Sequence, residues 1–389
     1  MRLRLFHCAS LLLLANCFWC CDNPRQTNTT KESETPSTQL PISANIYIEN
    51  SGSMAGYCNI SKPNAIETLV RDYYDRLEES PTVNNISLNY INTSIVNPQL
   101  GIKDFTKSIK SHCTAQYTKL DEMLEMMMDS ATNNCVNILI SDYVFTSDFG
   151  NLAIASSGIT SQFSKQLESK DLAVAIFKYM VDFKGKYYPG GIQCNKPLPL
   201  YVWAFGTKEN VRKIIHLPFN SKNCGTYFMQ KTQNASFILK SKNARMIKDN
   251  KIHVSYWNAS RHGDYYEFVF TTKLDNVLLQ KEEILKKHNY KIHSSNSTKF
   301  KIIKIEDLAN DTYEFTMRTN ESKPAPGNVT ISYPIITPEW VEESNFEGNG
   351  LPLDSTTYGI SYLINGVSKS FENTSNMNNN YFNINIVLE

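Results

Sequence analysis

The sequence predicts an α/β fold: a doubly wound, mostly parallel sheet, followed by a β-rich region that reads as a sandwich. Three observations predict it. From residue 44 to about 225, short apolar runs alternate with stretches of helical period. One of those runs, Val136–Ile140, is apolar nearly throughout, as in a central strand buried on both faces. Past about 225 the helical periods thin out and strand-like runs take over.

The chain opens MRLRLFHCASLLLLANCFWCCDN. Arg2 and Arg4 precede a short apolar stretch that ends in cysteines, the pattern of a secretory signal. The stretch is too short to read as a spanning helix. It is similar to a bacterial lipoprotein signal, in which a cysteine closing the apolar segment takes the lipid after cleavage. Cys17, Cys20 and Cys21 compete for that role. Cys21, followed by Asp22 and a polar tail, is favoured, which makes 1–21 the signal peptide; the alternative is a cleaved signal with no lipid. Residues 22–43 carry Pro24, Pro36 and Pro41 among Thr, Ser, Glu and Asn without hydrophobic period, and read as a flexible tether. The expectation is an exported protein, lipid-anchored in the cell envelope. A long tether before a large folded body suits the outer membrane.

The first domain is expected over 44–225. Ile46–Ile48 is a short strand. Ser61–Pro63 can open a helix, Ser as cap and Pro in the first turn, and Ile66, Leu69, Val70, Tyr73 and Leu77 share its apolar face. Ile86–Ile91 is a strand. Leu120, Met123, Leu124 and Met127 mark a second helix, with Met126–Met128 as core filling. Leu172–Tyr179 and Leu200–Phe205 are strands, and Thr207–Ile215 a closing helix. Between the last two strands, GKYYPGG is a turn.

The second region, 226–389, is expected to hold strands at Ile252–Trp257, Tyr265–Thr271, Thr312–Met317, Val329–Tyr333 and Tyr358–Ile364. Its last run, YFNINIVLE, alternates cleanly: Phe382, Ile384, Ile386 and Leu388 face one way. KEEILKKHNY reads as a short helix. YEFVFT at 266 and YEFTMRT at 313 echo each other, as two copies of one module or as two similar strands.

Formal net charge is +1, which gives no argument for nucleic acid or a strongly acidic substrate. Past the signal stand Cys58, Cys113, Cys135, Cys194 and Cys224, with no metal spacing. In an exported protein some pair, and Cys194 with Cys224 is the favoured couple by separation.

The chemistry gathers at IYIENSGSMAGY, residues 46–57. The turn after Ile48 carries Glu49, Ser51 and Ser53 at alternate positions, so their oxygens can converge. In an open parallel sheet, ligands collect at the carboxyl ends of strands. NILISDYVF places Asp142 at a second strand end, and Thr118 in YTKLDEML offers a further hydroxyl. Such an all-oxygen set suits Mg²⁺, Ca²⁺ or Mn²⁺.

Glu49-Asn50-Ser51-Gly52-Ser53, then Thr118, then Asp142, resembles the metal site of von Willebrand factor A domains, also called integrin I-like domains. That family has Asp-x-Ser-x-Ser after the first strand, a loop Thr, and an Asp ending a later strand. The resemblance covers residues 44 to 220 or so. It implies direct ligation by both serines, ligation by the threonine directly or through water, aspartates acting through water, and a partner's carboxylate completing the shell. Here Glu49 stands in place of the first Asp. Its extra methylene suits Ca²⁺ better than Mg²⁺, which demands tight octahedral geometry.

A rival reading uses the same letters. Gly52-Ser53-Met54-Ala55-Gly56 is G-x-S-x-G, the nucleophile elbow of α/β-hydrolases. It would need Ser53, Asp142 and one of His216, His253 or His262. The strand before it is the first of the fold, and no second glycine-rich segment offers an oxyanion hole.

The leading expectation is therefore a surface lipoprotein that captures a protein or glycan ligand by coordination, with no bond-breaking step and no nucleic acid. A structural envelope lipoprotein with a degenerate metal site is the second reading, and a serine hydrolase the third.

Overall fold

The computed structural model describes residues 41–389, apart from 61–62, 117, 147–149, 189, 239–244, 248–250, 255–259, 263–264, 276, 349, 353 and 376–378. The signal peptide, Cys21 and nearly all of the tether lie outside the described residues. Folded chain begins at once after them, since the first strand already starts at Ile42.

The first sheet contains β1 (Ile42–Glu49), β2 (Val83–Ile91), β3 (Ile95–Val96), β4 (Cys135–Ser141), β5 (Leu172–Tyr187), β6 (Ile192–Thr207) and β7 (Gly225–Met229). Their order is β3-β2-β1-β4-β6-β5-β7. β1 is an interior strand, parallel to β2 on one side and to β4 on the other. The parallel reading holds through these site-bearing strands. Beyond β4 the ladder turns antiparallel, because β5 and β6 form one long hairpin and β6, rather than β5, lies against β4. β7 joins β5 antiparallel, and the short β3 joins β2 antiparallel.

Helices cover both faces. α1 (Ala65–Glu78) and α2 (Ile102–His112) pack together on the face of Phe177 and Tyr179. The cap of α1 is Asn64, not Ser61: its side chain accepts from the Glu67 backbone N–H at 2.9 Å and donates to Glu67 Oε1 at 2.8 Å. The expected apolar face is right, with Ile66, Leu69, Val70, Tyr73 and Leu77 all buried. On the opposite face lie α3 (Leu120–Asp129) and α4 (Leu152–Ser169). α3 reaches β4 through Asn137, whose Nδ2 donates to Met127 O at 2.8 Å. α5 (Lys208–Ile215) follows β6, capped by Thr207.

The remaining strands make smaller sheets. In one, the strand Asn380–Leu388 lies between Gly327–Pro334, antiparallel, and Lys251–Val254, parallel. In the other, Tyr265–Lys273 and Thr312–Thr319 pair antiparallel, with Phe268 opposite Met317 and Phe270 opposite Phe315. The two echoed segments are thus partners in one ladder. Tyr290 touches Phe315 of one sheet and Phe382 and Tyr333 of the other.

Tyr358–Ile364, expected as a strand, instead opens the helix Ile360–Thr374. Ile360, Leu363, Ile364, Val367 and Phe371 fall on helical spacing and are buried. Gly359 launches it at φ +71, where an added Cβ would sit 2.5 Å from Phe145 O. The helix packs on α4, with Ser156 Oγ donating to Tyr362 O at 2.7 Å and Thr160 Oγ1 to Gly366 O at 2.9 Å.

All five cysteines past the signal are free. Cys194 with Cys224 is ruled out by register. Cys194 sits opposite Gly185, whereas the Cys224 backbone N–H bonds to Lys178 O, seven positions along the same strand. That is roughly 23 Å at strand rise, far beyond disulfide reach.

Candidate functional site

The chain order β2-β1-β4 reverses direction at β1, since β1 leads to β2 on one side and the next parallel strand, β4, lies on the other. Such a switch point opens a crevice at the carboxyl ends of the strands. Glu49 ends β1, Ser141 ends β4, and Asp142 follows it directly. Register then sets which side chains meet. Asn45 lies beside Asn137, and Tyr47 beside Leu139, so Glu49 and Ser141 emerge from the same face. Asn45 Nδ2 donates to Asn137 Oδ1 at 2.9 Å and marks that face lower down.

All five predicted residues come together, as two hydrogen-bonded groups joined through the chain. In the first, Thr118 Oγ1 donates to Glu49 Oε1 at 2.7 Å and Ser141 Oγ to Glu49 Oε2 at 2.8 Å. In the second, Ser53 Oγ donates to Asp142 Oδ2 at 2.6 Å and lies 2.9 Å from Ser51 Oγ. The other Asp142 oxygen accepts the Val144 backbone N–H at 3.2 Å. The loops are held by backbone contacts: Gly52 N donates to Ala115 O at 2.9 Å, and Ala115 N to Asn50 O at 3.1 Å. This places Ala115 against the serine loop, and Thr118 reaches Glu49 beside it.

Glu49 is fully buried, and Ser51, Ser53 and Asp142 nearly so; Thr118 is half-buried. Burial, and then the neighbouring Glu49 charge, push the Asp142 carboxyl up to about 7, against the lowering pull of its bonds from Ser53 and Val144. Among the described residues, no Lys, Arg or His forms an ion pair with either carboxylate. Immediately after Asp142, Tyr143 adopts φ +50, a strained conformation for a bulky residue. Its ring is stacked on Trp203 at 4.6 Å, which holds the turn in place.

The donor set fits a hard cation. Each hydroxyl that donates to a carboxylate keeps oxygen lone pairs for a metal, and among the described residues no cationic side chain pairs with Glu49 or Asp142 to favour charging both. Asn50 Oδ1, within the same loop, is a buried oxygen with no hydrogen-bond partner. Among the described residues, no group of three or more His, Cys, Asp or Glu gathers as a metal cluster. A site here would rest on hydroxyls as much as carboxylates.

Ser141 was invisible to sequence reasoning as a site residue. Its only signal was its position just before Asp142, at the end of a buried run. The Ser53 hydroxyl meets Asp142 and Ser51 directly, and among the described residues no histidine hydrogen-bonds to it. His216 caps the end of α5, His253 contacts Glu389, and His262 lies on the strand Ser260–His262 of a different sheet.

A cleft of about 380 Å³ opens beside the site. Thr118 lines it together with Leu120, Phe145, Ile154 and Gly158. Ile154 is 56% exposed, and a Cβ on Gly158 would meet nothing within 4 Å, so this wall is open.

No protein-family model matches the chain, and no curated protein matches it. Among the described residues, no helix is long and apolar enough to cross a membrane.

Proposed function

We propose that the chain is a membrane-anchored surface lipoprotein that captures a protein or glycan ligand through a von Willebrand factor A-like domain, with a cation held by Glu49, Ser51, Ser53, Thr118 and Asp142. The observation that carries this reading is the pair of buried carboxylates wrapped in hydroxyls, with no cationic side chain paired to either among the described residues. Charging both carboxylates in this buried setting is costly, which is what raises Asp142, and a divalent ion with oxygen ligands offsets that cost. Glu49 favours Ca²⁺ over Mg²⁺ through its longer reach. When bound, the cation offers a coordination position to an acidic group of the ligand.

The chain's own residues do the rest. Ser141 and the Val144 N–H orient the two carboxylates. Thr118 stands where the site meets the cleft, so an apolar group flanking the ligand's acid seats against Ile154 and Phe145. The β-rich region, read as sandwich-like from the aromatic contacts of Tyr290, acts as a spacer or second binding module.

Calorimetric titration of Mg²⁺, Ca²⁺ and Mn²⁺ into the protein tests the reading. Saturable heat is expected, strongest for Ca²⁺, and lost in Ser53→Ala. No specific heat from any of the three ions would remove the cation and leave a structural envelope role.

A further inference from the structure

We propose that Cys58 and Cys113 form a disulfide that ties together the two loops supplying the site hydroxyls. Cys58 closes the short 3-10 turn Met54–Cys58 that follows Ser53. Cys113 caps the end of α2, five residues before Thr118. The turn packs on α2. The chain between these cysteines and the site is already cross-braced by the Asn50, Gly52 and Ala115 backbone bonds and by the bridge of Ser51 with Ala115. A covalent link at 58–113 would close the same pair of loops on their far side.

Two further observations single out this pair. The Cys58 thiol lies within electrostatic reach of Lys110 on the last turn of α2, and the Cys113 thiol within electrostatic reach of Cys58. Tyr90, stacked between Phe105 and His112 of α2, feels both sulfurs. The other cysteines are placed elsewhere. Cys135 lies at the opposite end of the sheet, its Sγ donating to Ser130 O at 3.1 Å. Cys194 sits on the β5–β6 hairpin, and Cys224 beside Lys178.

The chemistry is thiol–disulfide exchange with a low-molecular-weight disulfide or an oxidised dithiol protein. Cys58, half-buried, is the entry point; Cys113 is nearly covered. The Cys58 thiolate attacks one sulfur of the oxidant, whose S–S bond breaks and releases one thiol. The Cys113 thiolate then attacks Cys58 Sγ and expels the second thiol. The two cysteine protons end on the two released thiols. Burial pushes the Cys58 thiol up to about 12, and burial followed by the Cys58 charge raises Cys113 as well, so the exchange is slow at neutral pH. This behaviour belongs to a structural bond and not to a fast sensor.

The test is peptide mass mapping of the full chain after equilibration with glutathione disulfide at mildly alkaline pH. The expected result is one linked peptide joining Cys58 to Cys113, with Cys135, Cys194 and Cys224 unlinked to either. The melting temperature should rise by on the order of 5 °C on oxidation. That rise should vanish in Cys58→Ser and in Cys113→Ser. Recovery of Cys58 and Cys113 as free or glutathione-capped thiols, or of Cys58 linked to Cys194, overturns the proposal. The mapping uses the unaltered chain and reads no metal, so it stands apart from the cation titration.

Discussion

Asp142 shows how one residue's surroundings set the pH response of the folded protein. Its folded carboxyl is raised from the ordinary 3.8 to about 7, first by burial and then by Glu49. Between those values the folded state holds a proton that the unfolded state releases. Stability therefore falls as pH rises through that window, by about 1.4 kcal/mol per pH unit. Below the unfolded value the contribution is fully present. In chelator, denaturant unfolding from pH 4 to 7 should show this slope in the natural protein and a flatter one in Asp142→Asn. An unchanged slope in the variant would mean that Asp142 ionises without penalty. The residues of this site were legible because hydroxyls and carboxylates at alternate positions after a strand are uncommon, and because Thr118 and Asp142 follow in order. Ser141 and the Ala115 backbone were not legible. A serine inside a strand end and a backbone carbonyl carry no chemical signature until register places them.

At the level of elements, the β5–β6 hairpin is the feature the sequence concealed most. Leu172–Tyr179 and Leu200–Phe205 announce themselves by apolar runs, but the strands continue to Tyr187 and back from Ile192 through half-exposed, alternating residues. This extension leans on the turn after Ser53. A Cβ at Gly185 would lie 2.9 Å from Gly56 Cα, and one at Gly56 would lie 2.2 Å from the Phe183 ring. Asn59 Nδ2 donates to Lys184 O at 2.6 Å across the same contact. Gly185→Ala should therefore cost about 1–3 kcal/mol in denaturant unfolding, by overpacking. A neutral result would show that the hairpin does not bear on the turn. α4 escaped notice for a different reason: over Leu152–Ser169 it buries only Ile159, Phe163 and Leu167, a sparse stripe among Ser, Thr and Gln. The helix Ile360–Thr374 was mistaken for a strand because a run of Tyr, Ile and Leu in a short window fits both periods. Only the continuation to Val367 and Phe371 decides it.

For the molecule as a whole, the later residues return to the first sheet. Lys178, buried on β5, donates to Ser344 Oγ at 2.7 Å and to Ser355 O at 3.0 Å. Tyr227 OH meets Ser368 Oγ at 2.9 Å, and Phe145 N donates to Tyr358 O at 2.9 Å. The helix Ile360–Thr374 covers α4. A chain ending at residue 230 would expose Ile159 and the surface around Tyr227 to water. It should melt lower than residues 41–389, or aggregate, when thermal unfolding of the two is compared. Equal melting would show that the first sheet folds without this cover.

β1 gives the molecule a mechanical character. It is paired residue for residue with β2 from Ile42 to Glu49, and with β4 from Ser43 to Ile48. A pull arriving from the amino-terminal side enters at Ile42, the end of the strand remote from Glu49. It runs along the strand axis and loads both ladders in shear, so their hydrogen bonds share the strain and fail together instead of unzipping in turn. Stretched from that end in a single-molecule experiment, the sheet should give way in one abrupt event, and the bonds of Thr118 and Ser141 to Glu49 at the far tip of β1 should persist until that rupture.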